Sequence, residues 1–383
     1  MKTLKYKVTM GFLMIVLLVV FSSPTVEAQS KPKDLPAMMT WSAYDVGSRG
    51  YNQAAAISNA LTKQYGLKVR IMPSGTGVGR MMPLKTGVAS YGLLADETAF
   101  ALMGLYEFSY YNWGPQDLRV ILAKPAPINV AARTQSGIKV AKDMKGKRVA
   151  WVAGSSSLNV KMDAYMAFAN LTWNDVTKVE FPGYNAALRG LIEGKVDAAV
   201  AGVTAPTMYE LEASPQGLTW VHFPAADKEG WARLQAIAPF VYPSKTDIAP
   251  AVKKGHPIEM PFYRYPQLVT YAKQNPDEVY ALIKAIDETY EMYKATDVEM
   301  PEWAISISGT VPAGAPFHEG AIKYLKEKNV WKPEYDEWNK KVLERVKKSQ
   351  EVWEKTLDEA SSKGIKEKEF PTFWEQKRKE AGL

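Results

Sequence analysis

Short apolar segments alternate with amphipathic segments along the first two thirds of the chain. Residues 38–42, 68–72 and 88–94 are apolar, short and followed by turn residues, which predicts three strands. Between the first two, residues 51–62 show the spacing of an amphipathic helix. The same order of strand, small-polar turn, helix and strand begins again at Trp151. The pattern therefore predicts two similar α/β lobes with a cleft between them.

The rest of the pattern predicts the connection between the lobes and a helical C-terminal part. Pro125-Ala126-Pro127 precedes an apolar strand at residues 128–132, which indicates a crossover into the second lobe. Asn275 and Pro276 are typical of a helix start, and a charge-rich helical region begins at Glu334. We expect its helices to pack on the first lobe, with a partner-binding tail as the alternative. The predicted organisation is residues 1–28 signal peptide, 29–125 first lobe, 126–242 second lobe, 243–333 return to the first lobe, and 334–383 C-terminal extension.

The N-terminus and the composition limit the class of protein. Lys2, Lys5 and Lys7 precede an uncharged apolar stretch, and Ala28 ends a small-residue cleavage site, so we predict a Sec-type signal peptide and export. The chain has no cysteine, which excludes disulfides and thiol catalysis. Its formal net charge of +7 is compatible with an anionic ligand but is also ordinary for a soluble protein. We expect no nucleic-acid partner and no membrane-embedded segment after cleavage.

Signals for catalysis are weak. The three histidines have no metal-ligand spacing, and no Gly-x-Ser-x-Gly nucleophile motif is present. Residues 74–80 resemble a phosphate loop but lack its Gly-Lys-Ser/Thr ending. We therefore expect no enzyme activity, no cofactor and no metal. A hydrolase that uses Asp45, Asp96 or Glu97 as its base in the same cleft is the alternative.

The predicted turns are instead suited to binding an anion. Glycine-rich and hydroxyl-rich turns at helix N-termini present backbone N–H groups and hydroxyl donors to a carboxylate. The alternative for Gly75, Gly77 and Gly79 is a tight connection between strand and helix. Asp45, Asp96 and Glu97 are suited to binding an amino group or a cation, or to capping helices, and for Asp96 we expect a helix cap. Trp41 and Trp151 are expected in the core. The candidate ligand-binding residues are Tyr44, Ser48, Ser74, Gly75, Thr76, Arg80, Ser155, Ser156, Tyr184 and Thr204.

Within this set we expect different roles. The hydroxyls of the serines and of Thr76 would donate to carboxylate oxygens, and Arg80 would neutralise charge. Tyr44, Tyr184 and Thr204 would shape the cavity. Because ligands of open α/β sheets bind outside the carboxyl ends of the strands, all these turns should lie at one edge.

Several segments together resemble the TAXI-type solute-binding subunits of tripartite ATP-independent periplasmic (TRAP) transporters. These are residues 44–48 (Tyr-Asp-Val-Gly-Ser), 73–76 (Pro-Ser-Gly-Thr), 143–149 (Asp-Met-Lys-Gly-Lys-Arg-Val), 154–157 (Gly-Ser-Ser-Ser), 187–198 and 315–324 (Ala-Pro-Phe-His-Glu-Gly-Ala-Ile-Lys-Tyr). The resemblance covers residues 37–332. It implies a type II periplasmic-binding-protein fold, a periplasmic location, and capture of a small organic acid such as glutamate or a dicarboxylate. It also implies delivery to TRAP permease subunits; a receptor that signals to a sensor is the alternative.

Overall fold

The computed structural model describes residues 30–383, and the predicted signal peptide lies outside them. The strands are β1 (Met38–Tyr44), β2 (Lys68–Ser74), β3 (Tyr91–Leu94), β4 (Leu118–Arg133), β5 (Arg148–Val152), β6 (Thr177–Phe181), β7 (Ala198–Gly202), β8 (Leu218–Trp220), β9 (Tyr242–Thr246) and β10 (Ile258–Tyr271). The helices are α1 (Arg49–Tyr65), α2 (Gly77–Lys85), α3 (Glu97–Leu102), α4 (Ser156–Phe168), α5 (Tyr184–Ile192), α6 (Pro206–Ala213), α7 (Lys228–Ile237), α8 (Pro276–Glu288), α9 (Tyr290–Tyr293), α10 (Ile305–Ser308), α11 (Glu319–Glu327), α12 (Pro333–Lys363) and α13 (Phe370–Glu380). Within residues 30–383, no helix combines the length and apolar character needed to cross a bilayer.

The sheet confirms the internal repeat. Its order is β2-β1-β3-β10-β4-β7-β5-β6, with β8 also paired to β4 and β9 to β10. In the first lobe β1 pairs parallel with β2 and β3, and in the second β5 pairs parallel with β6 and β7. In the sheet, each parallel set lies beside one long antiparallel strand. This strand is β10 in the first lobe and β4 in the second. Two α/β lobes with this matching strand order form the type II periplasmic-binding-protein fold.

The two long strands connect the lobes. β4 and β10 run antiparallel beside each other, with Phe262 opposite Pro127 and Arg264 opposite Pro125. Proline lacks the N–H that a strand donates, so the ladder is weakened where these prolines stand. The predicted crossover at residues 125–127 therefore lies at the junction of the lobes. The predicted lobe boundaries at residues 125 and 242 remain predictions.

Local signals start several of the helices. The Asn275 side chain accepts from the Asp277 N–H at 2.9 Å and Pro276 is the first residue of α8, as the sequence predicts. The apolar stripe of α8, including Leu282 and Ile286, is buried against the rest of the first lobe. Trp41 is fully buried on β1, whereas Trp151 is half-buried beneath the Lys178 ammonium.

The C-terminal extension consists of α12 and α13, which pack together around two tryptophans. The ring centres of Trp353 and Trp374 are 4.9 Å apart in an edge-to-face arrangement, and those of Trp353 and Phe370 are 5.1 Å apart. The Trp374 Nε1–H donates to the Gly104 carbonyl at 2.7 Å, which joins the extension to the loop after α3. The extension is thus part of the fold and packs on the first lobe.

Candidate functional site

A cavity lies between the lobes at the carboxyl ends of the parallel strands. Each of these six strands contributes a residue at or just beyond its end: Tyr44, Gly75, Ala95, Ser155, Tyr184 and Gly202. The cavity volume is ≈ 40 Å³, a few times the roughly 10–15 Å³ that one water needs. The remaining lining residues are Arg80, Ile128, Ser157, Leu158, Tyr263 and Tyr265. The predicted location at this edge of the sheet is where the structure forms its interlobe cavity.

Tyrosines form one wall. The Tyr44 and Tyr265 rings are edge-to-face at 5.1 Å, and Tyr263 stacks on Tyr265 at 5.4 Å. Burial raises the pKa of Tyr44 well above its usual value, so its hydroxyl keeps its proton and can donate. That hydroxyl is buried and has no hydrogen-bond partner among the described residues. An unpartnered buried hydroxyl at a cavity is a candidate ligand contact.

Arg80 is placed at the cavity but is already paired with a carboxylate. Its Nε and Nη2 lie 2.8 and 2.7 Å from Glu97 Oε1, and its Nη1 donates to the Ser74 carbonyl at 3.2 Å. The guanidinium carbon stands 4.0 Å from the centre of the Tyr44 ring. Burial lowers the pKa of Arg80, but the neighbouring Glu97 carboxylate raises it more. The pKa of Arg80 therefore lies above its usual value. Arg80 therefore provides N–H donors at a site whose charge Glu97 has balanced.

The hydroxyls predicted around the first two turns are occupied locally. Ser48 accepts from the Tyr51 N–H at 3.2 Å, and Thr76 accepts from the Gly79 N–H at 3.1 Å, so both cap helices. The Ser74 hydroxyl accepts from the Thr76 N–H at 3.4 Å. These three side chains do not appear among the residues that line the described cavity. From this loop, it is Gly75 that borders the cavity, beside Gly183 of the second lobe.

The three serines at the start of α4 differ in their contacts and in whether they line the cavity. Ser155 lines the cavity and its side chain makes no capping hydrogen bond among the described residues. The Ser156 N–H donates to Glu107 Oε1 at 2.8 Å, across the cleft, and Ser156 does not line the cavity. Ser157, which the sequence reasoning did not select, lines the cavity and donates to Asp96 at 3.2 Å.

Tyr184 provides a second phenol from the opposite lobe. Its hydroxyl accepts from the Gly202 N–H at 3.0 Å, and burial raises its pKa to about 12. Because a phenol both accepts and donates, the Tyr184 proton remains available to a bound molecule.

Thr204 lies in a buried polar network behind the cavity. Its hydroxyl donates to Glu299, whose other oxygen accepts from the Lys124 ammonium at 2.7 Å. Arg49 also approaches Glu299 and donates to the Thr204 carbonyl. Burial raises the pKa of Glu299, but Lys124 and Arg49 lower it more, so the carboxylate is ionised. Thr204 thus contributes to the junction of the lobes and not to the cavity lining.

The lobes are in contact around the cavity, so the cleft is closed. Asp96 of the first lobe forms a buried ion pair with Lys161 of α4. Burial raises the pKa of Asp96 to about 6, even though Lys161 lowers it. Asp96 does precede α3, but its side chain does not cap that helix. The expectation of a capping side chain is therefore wrong, because the carboxylate binds across the cleft instead.

Half of the selected residues thus border the cavity and half stabilise its surroundings. Tyr44, Gly75, Arg80, Ser155 and Tyr184 are lining residues. The sequence reasoning missed Tyr263 and Tyr265, which lie on β10 where it returns from the second lobe. Their apolar, aromatic neighbours indicate only a buried strand, so no local signal distinguished them.

Comparison with known proteins gives the family. The profile of the NMT1-like family matches residues 46–328, most of the chain. A solved structure described as a periplasmic transporter aligns at 12% identity over 83% of this chain and 96% of its own, with a TM-score of 0.48. A solved structure from Bordetella bronchiseptica RB50 aligns at 19% identity over 78% of this chain and 90% of its own, with a TM-score of 0.46. The alkanesulfonate-binding protein SsuA of Xanthomonas axonopodis pv. citri, bound to MOPS, aligns at 15% identity over 80% of this chain and 83% of its own, with a TM-score of 0.40. The extent of the family match shows that this chain belongs to the NMT1-like family.

Proposed function

We propose that the protein is an extracytoplasmic solute receptor that closes on a small organic acid and delivers it to a membrane permease. The observation that carries this proposal is the closed cavity between the lobes, lined from both sides by hydrogen-bond donors. Tyr44 and Arg80 come from the first lobe, and Ser155 and Tyr184 from the second. A solute held by both lobes stabilises the closed form, as in hinge-closing receptors.

The charges around the cavity favour a solute with a single carboxylate. Arg80 is balanced by Glu97, and Lys161 is balanced by Asp96. One carboxylate can be stabilised by neutral hydroxyls and backbone N–H groups without a counter-ion, but a second carboxylate would need a second set of such donors in the same buried volume. The small volume also suits a short acid. Within the predicted range of organic acids, we therefore place short monocarboxylates ahead of glutamate and other dicarboxylates.

The resemblance to TAXI-type subunits supports a TRAP permease as the partner. The segments that carry it include residues 154–157 at the start of α4 and residues 315–324. The predicted signal peptide supports a periplasmic location. Copurification with coexpressed TRAP membrane subunits would test this partner directly.

The ligand proposal is tested by calorimetric titration of the purified protein with acetate, propanoate, lactate, succinate and glutamate, and with glucose as a neutral control. We expect saturable binding of at least one monocarboxylate and weaker binding of the dicarboxylates. Ser155→Ala should weaken that binding about ten- to a hundredfold, because a hydroxyl that donates to a charged group contributes about 1.5–3 kcal/mol.

Ser136→Ala is the matched control, since the Ser136 hydroxyl donates to the Arg133 carbonyl at 2.6 Å and does not line the cavity. It should leave the affinity unchanged. Binding of none of the acids would refute the carboxylate assignment, and tightest binding of succinate or glutamate would refute the preference for one carboxylate.

A further inference from the structure

We infer that Glu107 is a positioning residue for the solute cavity, and that the C-terminal extension holds it in place. This inference rests on the proposed function, since it concerns how the same cleft is kept closed. Glu107 belongs to the short 3₁₀ helix Tyr106–Ser109 in the first lobe, whereas its hydrogen-bond partner starts α4 in the second. The contact therefore joins the two lobes beside the cavity.

The geometry of the contact explains why it matters to the cavity. Glu107 Oε1 accepts from the Ser156 N–H at 2.8 Å, one of the N–H groups left free at a helix start. A carboxylate at this end of a helix is also favoured by the helix dipole. Ser155 and Ser157, on either side of Ser156, both line the cavity. Fixing Ser156 thus fixes the two serines that line the cavity.

The loop that carries Glu107 follows α3 and contains a short 3₁₀ turn, and Phe108 in this turn is buried in the first-lobe core. The loop is also held by α12, α13 and the segment between them. Trp374 donates to the Gly104 carbonyl at 2.7 Å, and the Tyr111 hydroxyl donates to the Ile365 carbonyl at 3.2 Å. The Tyr111 ring also stacks on Phe370 at 3.9 Å. These contacts lie on both sides of Glu107 in the chain.

The extension lies outside the part of the chain that the family profile matches, residues 46–328. It does not line the cavity between the lobes. Its contacts nevertheless reach that cavity in two steps, from α13 to the Glu107 loop and from Glu107 to the start of α4. The extension thus has a role in setting the closed state around a cavity that it does not line.

The experiment measures lobe closure directly. The chain has no cysteine, so Asn59→Cys on α1 and Glu180→Cys on β6, both exposed, can be spin-labelled without background. Interlobe distance distributions are recorded by pulsed electron resonance, without ligand and with propanoate. In this labelled protein Glu107→Ala removes the contact. Trp374→Phe removes the hydrogen bond that anchors the loop together with part of a fully buried ring.

We expect both variants to shift the distance distribution of the ligand-free protein away from that of the parent, with the larger shift for Glu107→Ala. The dissociation rate of bound propanoate should rise roughly threefold or more in Glu107→Ala. Glu367→Ala, at an exposed acid between α12 and α13, is the control and should change neither quantity. Circular dichroism melting confirms that each variant is folded. Should Glu107→Ala fail to fold, Glu107→Met replaces it, since methionine is of similar size and its sulfur is only a weak acceptor.

Distances that match the parent in both variants would overturn the inference, even where the acids bind. Shifted distances together with no binding of any acid would support the Glu107 contact and refute the proposed ligand class. The distance measurement in the ligand-free protein therefore separates the two proposals.

Discussion

The Tyr44 hydroxyl allows a test in which stability and ligand affinity should change in opposite directions. In the described structure this hydroxyl is buried and has no hydrogen-bond partner, yet its residue lines the cavity. Tyr44→Phe removes the oxygen and leaves the ring, including its contacts with Arg80 and Tyr265. The substitution therefore tests the hydroxyl alone.

The expected magnitudes derive from the cost of burying a polar group. An unsatisfied buried hydroxyl costs about 1–3 kcal/mol, so Tyr44→Phe should raise the free energy of unfolding of the ligand-free protein by about 1 kcal/mol. For a chain of this length that corresponds to a rise in Tm of about 1–2 °C. A hydrogen bond to a carboxylate contributes about 1.5–3 kcal/mol, so the variant should bind its acid about ten- to a hundredfold more weakly.

The assay is calorimetric titration of the best-binding acid together with scanning calorimetry of the ligand-free protein. Tyr91→Phe is the matched control. Tyr91 is also buried in the first lobe, but its hydroxyl donates to Glu278 Oε1 at 2.7 Å and lies away from the cavity. It should lose about 1.5–3 kcal/mol of stability and keep its affinity.

Two results would refute the reasoning. A loss of stability in Tyr44→Phe as large as that in Tyr91→Phe would mean that the Tyr44 hydroxyl has a partner within the protein. An unchanged affinity in Tyr44→Phe would mean that the hydroxyl does not contact the solute, and Tyr44 would then only shape the cavity.

Two further predictions concern Asp96 and the extension. The pKa of Asp96 is about 6 in the folded protein, above its usual value of about 3.9, so folding takes up a proton; this contribution to stability is fully present below about pH 4 and is lost as the pH rises through 6. Between pH 5 and pH 7 the free energy of unfolding should therefore fall by about 1.3 kcal/mol more than it does in Asp96→Asn, measured by chemical denaturation at both values, and equal pH profiles in the two proteins would contradict this. Gly114 has φ +69°, and a Cβ there would lie 2.6 Å from Trp353 Cε2, so Gly114→Ala should lower the free energy of unfolding by about 2–4 kcal/mol in chemical denaturation. Gly87→Ala is the control, since Gly87 has φ +74° and no atom lies within 4 Å of the added Cβ. It introduces only backbone strain and should lower the free energy of unfolding by about 1 kcal/mol. Equal losses of stability in the two variants would show that the contact with Trp353 is unimportant.

Much of the architecture could be predicted from local signals in the sequence. The repeated order of strand, turn and helix predicts the two lobes, because hydrophobic periodicity reports which face of each element is buried. Asn275 and Pro276 predict the start of α8, and Pro125 and Pro127 the crossover, because capping and proline geometry depend on a few neighbouring residues. The edge of the sheet that holds the cavity is predicted by the same pattern, since parallel strands end at one edge.

The roles of single side chains at that edge were decided by the tertiary structure. Arg80 and Glu97 are 17 positions apart, and Asp96 and Lys161 are 65 apart; both pairs form only when the elements that carry them pack together. The hydroxyls of Ser48 and Thr76 were selected as ligand donors but cap their own helices. A serine or threonine at a helix start serves either purpose, and its sequence neighbourhood is the same in both cases.

The sequence by itself therefore determined which elements form, where the chain crosses between lobes and which strand ends surround the cleft. The tertiary structure decided that β10 brings Tyr263 and Tyr265 to the cavity, and that α13 supports the loop carrying Glu107. The physical reason is the range of the interactions. Backbone periodicity, capping and proline restriction act within a few residues, whereas a buried charge or hydroxyl acquires its partner from whichever distant segment packs against it.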